Sequence, residues 1–152
     1  MKVTEFQQLE QHLGYTFKDK TLLQKALTHK TYAFEASEPL EYNERLEFLG
    51  DSVLNFIIAE ELYKSNRYFS EGELTRRRAM IVNNKVLAQK AQDLKIGQYL
   101  LLGKGEIKQN GATNHTNLAN ALEAIIGAMF LDAGLEQTKK FVLQTFAPMA
   151  LI

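Results

Sequence analysis

The stretch from Asn43 to Lys64 constrains the fold more than any other part of this chain. Leu46, Leu49, Val53, Phe56, Ile57 and Leu62 recur there at three- and four-residue steps, the spacing that gathers apolar side chains along one side of an α-helix. A long helix with so apolar a stripe has to be largely buried, so the rest of the chain must supply surfaces to cover it. Further helices supply them. Thr4–Leu13 reads as a short amphipathic helix broken at Gly14-Tyr15, and Asp19–Thr28 carries Leu22, Leu23, Ala26 and Leu27 behind Asp19 as N-cap. Ser70-Glu71-Gly72-Glu73 has the Ser-x-x-Glu form of a capping box and opens a helix through about Val82. Lys85–Leu94 follows and stops near Gly97. Asn117–Ala133 is a second long apolar-striped helix, ended by Gly134, and Leu135–Phe146 completes the set.

Two segments read as irregular. Glu35–Tyr42 is polar and contains Pro39, and Gly103–Thr116 is long, polar and glycine-containing, which predicts a mobile loop. No alternating Val/Ile/Thr run marks a strand, and no repeat or linker divides the chain. The 152 residues suffice for one compact core. The expected architecture is all-α, a single domain over residues 1–152.

Composition narrows the function classes. The chain has no cysteine, which removes a disulfide framework, a thiolate zinc site and a cysteine nucleophile together and fits a reducing, cytoplasmic setting. The longest apolar runs, such as Ala124–Leu131, fall far short of a membrane span, and Met1-Lys2-Val3-Thr4-Glu5 lacks a signal-peptide core. Eighteen basic side chains balance eighteen acidic ones. Binding to a nucleic acid would therefore rest on local patches rather than on net charge.

The acidic residues are placed oddly. Glu44, Glu47 and Asp51 lie on the most apolar helix, within roughly 60° of one another around its axis. Like charges on one helix face destabilise it by about 0.2–0.5 kcal/mol per pair, and burial deepens the cost. Asn120 and Glu123 stand one i,i+3 step apart on the second long helix. If the two helices pack together, with Gly50 and Gly127 permitting close approach, Glu47, Asp51, Asn120 and Glu123 converge. Four oxygen-bearing side chains without His or Cys form a hard-ligand set suited to Mg²⁺ or Mn²⁺. Spacing alone leaves a second reading open, a solvated face paired with basic side chains such as Arg45.

The segment Asn43-Glu44-Arg45-Leu46-Glu47-Phe48-Leu49-Gly50-Asp51-Ser52 closely resembles the signature of the ribonuclease III endonuclease domain. Further segments agree in the same order: Leu13-Gly14-Tyr15-Thr16-Phe17, Ala26-Leu27-Thr28-His29, Glu71-Gly72-Glu73-Leu74 with Arg78, Leu102-Gly103-Lys104-Gly105-Glu106, and the run from Leu118 to Ala128. The match covers nearly the whole chain. The resemblance implies an all-helical, two-fold homodimeric domain that cuts double-stranded RNA with divalent metal, Mg²⁺ with Mn²⁺ able to substitute. It assigns metal-ligand roles to Glu47, Asp51, Glu123 and the position of Asn120, with Asp51 and Glu123 catalytic. It places Glu44 near the dimer interface, Glu71 as a further acid near the processing centre, and Phe48 as an aromatic that inserts into the partner subunit. On spacing alone Phe48 would be ordinary core.

Two departures accompany the resemblance. The family has Asp where this chain has Asn120, which keeps a carbonyl oxygen but loses a full negative charge; weaker metal binding is expected. A C-terminal double-stranded-RNA-binding domain, usual in bacterial members, does not follow the last helix within these residues. The expected chemistry is hydrolysis leaving a 5′-phosphate and a 3′-hydroxyl, with short 3′ overhangs, in the processing of ribosomal and messenger RNA precursors. Two hard cations about 3.5–4 Å apart would activate water and neutralise the leaving oxygen. A mechanism through the RNA's own 2′-hydroxyl would need a general acid/base pair, and His12, His29 and His115 have no pairing pattern; His29 reads as structural. Arg76, Arg77 and Arg78 are candidates for phosphate contact, against a solvated-face alternative. The competing function is a catalytically impaired dimer that binds double-stranded RNA, supported by Asn120.

Overall fold

The computed structural model describes residues 3–150, with side chains described from Thr4 to Phe146; the expected domain's outermost residues, 1–2 and 151–152, lie outside the described residues. The helices are α1 (Val3–Leu13), α2 (Lys20–Leu27), α3 (Lys30–Glu35), α4 (Glu44–Ser65), α5 (Glu71–Ile81), α6 (Asn84–Asp93), α7 (Lys104–Lys108), α8 (His115–Ala133) and α9 (Leu135–Ala150). Short 3-10 turns occupy Ile96–Tyr99 and Gly111–Thr113. Among the described residues the one extended pairing is an isolated bridge between Thr28 and Leu101. The fold is all-α, as the spacing predicts.

The helix α8 is the axis of the molecule. From Leu118 to Met129 every residue except Asn120 is buried, the signature of a helix apolar on all sides and covered by neighbours all round. Helices α4, α6, α2 and α9 provide that cover. Helix α4 turns Leu46, Val53, Leu54, Ile57, Ile58 and Leu62 inward. Phe56, expected on the buried stripe, is 54% exposed, because the seam runs through Leu54 and Ile58 and leaves Phe56 off it.

Local signals set the helix ends. Asp19 accepts from the Thr21 N–H, Asn83 from Val86 and Asn114 from Asn117. Ser70 Oγ accepts from the Glu73 N–H at 3.2 Å, but the return half of the capping box is absent, since the Glu73 carboxylate is drawn along the helix to Arg76 and Arg77. Gly134 ends α8 at φ 89°, a conformation that glycine adopts without a Cβ penalty.

Two irregular segments are more ordered than their sequences suggest. Gly103–Thr116 is not a loop throughout: it holds α7, a 3-10 turn and the first residues of α8, which begins two residues before Asn117 because Asn114 caps it. The Asn117 side-chain amide donates to Glu106 Oε2 and to the Gly111 carbonyl, both at 3.1 Å, drawing the segment together. The start of Glu35–Tyr42 is preceded by α3, which spacing does not reveal. Its N-cap is His29, whose Nδ1 accepts from the Thr31 N–H at 3.2 Å. Thr31 Oγ1 in turn accepts from the Gly103 N–H at 2.9 Å, and Glu35 from Lys104 N–H at 2.8 Å, so α3 and α7 stabilise each other.

Candidate functional site

Helix α4 crosses α8 at a point where neither carries a side chain. A Cβ on Gly50 would collide with the Glu123 carbonyl group and lie 2.9 Å from the Gly127 nitrogen; one on Gly127 would collide with the Leu46 carbonyl oxygen and lie 3.0 Å from the Gly50 nitrogen. The two backbones therefore touch. Glu47 and Asp51 flank Gly50 on α4, while Glu123 and Asn120 stand one and two turns before Gly127 on α8. The crossing brings these four side chains together.

Glu123 is buried at 6% exposure. Its carboxyl is pushed up to about 9, first by burial, then by the hydrogen bond it shares with Asp51 and by the charges of Asp51 and Glu47. Glu47 is half-buried and its carboxyl is also raised, by burial first and then by Glu44 and Asp51. No Lys or Arg is among the groups acting on either residue. Arg45, the partner that a solvated face would use, acts instead on Glu41. Glu44 and Asp51 are exposed, so the acids form a partly solvated cluster, one in which no basic side chain acts on Glu47 or Glu123.

Asn120 completes the group. Its side chain faces Glu47 Oε1 and the Thr116 carbonyl oxygen, each at 3.3 Å with the amide nitrogen turned toward them. Both are acceptors, so the nitrogen belongs on that side. Among the described residues no three His, Asp or Glu side chains stand ready to enclose an ion. The group is arranged as two pairs, Glu123 with Asp51 and Glu47 with Asn120. Its chemistry nonetheless fits a hard divalent cation: every potential ligand atom is oxygen, and a cation relieves the negative charge of Asp51 and Glu47 that adds to burial in raising Glu123.

The other candidates are dispersed. Glu44 is exposed and acts on Glu47 through its charge. Glu71 is exposed in the first turn of α5 and is not among the charges acting on Glu47 or Glu123. Arg76 and Arg77 are both held by Glu73, at 2.7 and 2.9 Å, and Arg77 also lies over the Phe69 ring, 4.2 Å from its centroid. Arg78 is half-buried. The histidines are scattered: His12 near the end of α1, His29 capping α3, His115 opening α8.

Phe48 is not core. It is 79% exposed on α4 and borders a groove of about 850 Å³ whose apolar lining includes Leu22, Tyr42, Leu49 and Leu131. Other aromatics are exposed as well, Phe34, Phe56, Tyr63 and Tyr68 among them, but Phe48 adjoins an apolar groove, which makes this face the candidate interaction surface. Spacing does not reveal the groove residues; the only signal is an apolar Leu131 just past the buried stretch from Leu118 to Met129 of α8.

Residues 19–149 match the family model described as Ribonuclease-III-like. The Ribonuclease 3 of Oleidesulfovibrio alaskensis is 47% identical over 142 residues, which make up 93% of this chain and 62% of that protein. The Ribonuclease 3 of Bdellovibrio bacteriovorus is 43% identical over 142 residues, 93% of this chain and 61% of that protein. The chain thus spans less than two thirds of the length of these curated relatives. The nuclease domain of ribonuclease III from Campylobacter jejuni, described for structural flexibility in a region involved in dimer formation, superposes with a TM-score of 0.88 at 41% identity, covering 95% of this chain and 98% of that one. Dicer from Pichia stipitis aligns with a TM-score of 0.62 at 28% identity, over 86% of this chain and 55% of that one.

Proposed function

The chain belongs to the ribonuclease-III-like family, and from that premise we propose that it is a divalent-metal-dependent nuclease domain that hydrolyses double-stranded RNA. The observation that supports this reading best is the pairing of buried Glu123 with Asp51 across two helices, with no basic group acting on Glu123. Glu47, Asp51, Glu123 and Oδ1 of Asn120 are the residues that would hold Mg²⁺ or Mn²⁺. Such a cation supplies, when bound, activation of a water and charge neutralisation at the phosphodiester.

The chain's own residues do the rest. Glu123, with its carboxyl raised to about 9, holds a proton at neutral pH and yields it when the site is loaded. Asp51 shares that proton and keeps Glu123 aimed across the helix crossing. Glu47 is kept against α8 by Asn120. With no histidine pair to abstract a proton from a 2′-hydroxyl, cleavage is direct hydrolysis, giving 5′-phosphate and 3′-hydroxyl ends. The substrate is read by shape across the wide minor groove of A-form RNA. Arg76, Arg77 and Arg78 offer positive charge on α5 for phosphate contact.

Two copies form the working unit. Phe48 of one protomer fills the groove beside Leu22, Tyr42 and Leu131 of its partner, an isologous contact that presents two equivalent sites to the two strands. Staggered cuts with short 3′ overhangs follow. The setting is cytoplasmic and the substrates are ribosomal and messenger RNA precursors; among the described residues no helix is long and apolar enough to cross a membrane.

The amide of Asn120, donating where an anion would ligate, favours one alternative: a dimer that binds duplex RNA and cuts it poorly. Incubating a long RNA duplex with Mg²⁺ or Mn²⁺, beside an EDTA control and E123Q, separates the two on a gel. Short fragments bearing 5′-phosphates, lost with E123Q, support the nuclease. Shifted but intact RNA supports the binding dimer.

A further inference from the structure

Within the metal centre read above, one residue has a task that precedes any cation. We propose that Asn120 is a positioning residue: its amide N–H₂ fastens the Glu47 carboxylate to α8 in the metal-free protein, and a divalent cation draws Glu47 off that amide on binding.

The geometry carries the argument. The Asn120 side chain meets two oxygens, Glu47 Oε1 and the Thr116 carbonyl, both at 3.3 Å. The carbonyl cannot donate whatever the state of Glu47, so the amide nitrogen must face the pair. Every charge acting on Glu47 is negative, from Glu44 and Asp51, and among the described residues no other hydrogen bond to its carboxylate is present. Asn120 is thus the one donor that faces Glu47, and it stands on the opposite helix. A carboxylate in its place would set acceptor against two acceptors, a cost that only a shared proton or a cation between them relieves. A residue with no polar side chain would leave Glu47 unfastened among like charges. The amide orders the site before it is filled, and the same hydrogen bond competes with the incoming ion.

The test is a thermodynamic cycle on the full chain, with melting temperature as the readout and Mn²⁺ alone as the probe. Wild type, N120D, E47Q and N120D/E47Q are melted in EDTA and then with Mn²⁺. In EDTA at neutral pH, N120D melts lower than wild type by about 2–4 °C, the shift for roughly 1 kcal/mol in a domain of this size. Adding E47Q restores most of that loss, because the new amide at position 47 donates to the introduced carboxylate. Mn²⁺ then raises N120D more than wild type and closes the gap. If N120D proves too unstable to purify, N120A with and without E47Q gives the same cycle without added charge: the two changes are non-additive if the link exists. Additive effects in EDTA, or N120D melting at or above wild type without metal, overturn the positioning role while leaving the metal centre standing. Coupling in EDTA with no Mn²⁺-dependent rise in any of the four proteins overturns the metal reading, and the release of Glu47 with it.

Discussion

Gly50 and Gly127 face each other where α4 crosses α8, so close that a Cβ on either would strike the main chain of the opposite helix. Their contact sets the separation of the acidic residues: Asp51 is next to one glycine, and Glu123 is one turn before the other. Packing and chemistry therefore share a single point. G50A is expected to force the helices apart and to destabilise the domain by about 3 kcal/mol, the upper part of the range for overpacking a filled interior. Urea unfolding followed by circular dichroism measures it. G127A is expected to cost a similar amount, and a loss under about 0.5 kcal/mol for both, typical of an unconstrained surface site, would show that the crossing relaxes freely.

The raised Glu123 carboxyl predicts a pH dependence with a definite sign. Its value of about 9 lies well above the ordinary glutamate range, so between that range and about 9 the folded metal-free protein holds a proton that the unfolded chain has released. Stability falls with rising pH wherever the native state binds more protons. The metal-free domain is thus expected to lose stability from mildly acidic pH upward through about 9, and E123Q is expected to flatten this slope. Loading the site reverses the preference and expels the proton. Calorimetric titration with Mg²⁺ at neutral pH, repeated in buffers of different ionisation enthalpy, is expected to report release of about one proton per site in the wild type and none from position 123 in E123Q.

Residue spacing alone makes α4 and α8 legible, because a long helix accumulates enough periods to betray its face. It also puts Glu47 and Asp51 on one side of α4 and singles out both glycines of the crossing. Helices α3 and α7 escape because each is too short to display a period. Their order comes from contacts distant in sequence, Thr31 with Gly103 and Glu35 with Lys104. Phe48 and Phe56 look alike as apolar letters, and only the position of α8 decides that both face outward. The Asn120 departure is visible as a letter, but the direction of its amide depends on Thr116 and Glu47, which the fold alone brings into range.

The proposed dimer rests on Phe48, which contributes little to the fold of one protomer because it is 79% exposed. F48A is expected to leave the melting temperature of the monomer nearly unchanged. Removing an aromatic anchor from the centre of an interface costs about 2 kcal/mol or more, a roughly 30-fold rise in the dimer dissociation constant. Sedimentation velocity over a concentration series reads both forms. An unchanged dimer constant would move the interface elsewhere on the surface.

The last turn of α8 is fastened by Asp132, and that fastening predicts behaviour in acid. Its carboxylate accepts from the Tyr15 hydroxyl at 2.5 Å and from the backbone N–H groups of Lys18 at 2.8 Å and Asp19 at 3.0 Å, tying the α1–α2 connection to the far end of the central helix. Burial alone would raise this carboxyl, but the Tyr15 hydroxyl and the two N–H donors outweigh it and hold it below the ordinary aspartate range. A depressed carboxyl contributes stability above its unfolded value and loses it as the pH falls through the folded one. D132A, which deletes three hydrogen bonds, is expected to cost about 2 kcal/mol at neutral pH, and Y15F, which deletes one and keeps both backbone contacts, about 1 kcal/mol. Acidification below the usual aspartate range should shrink the gap between wild type and D132A, because protonation weakens the same three bonds that the substitution deletes. Chemical denaturation at neutral pH and again in acid distinguishes this from a purely steric role for Asp132, under which the gap would stay constant.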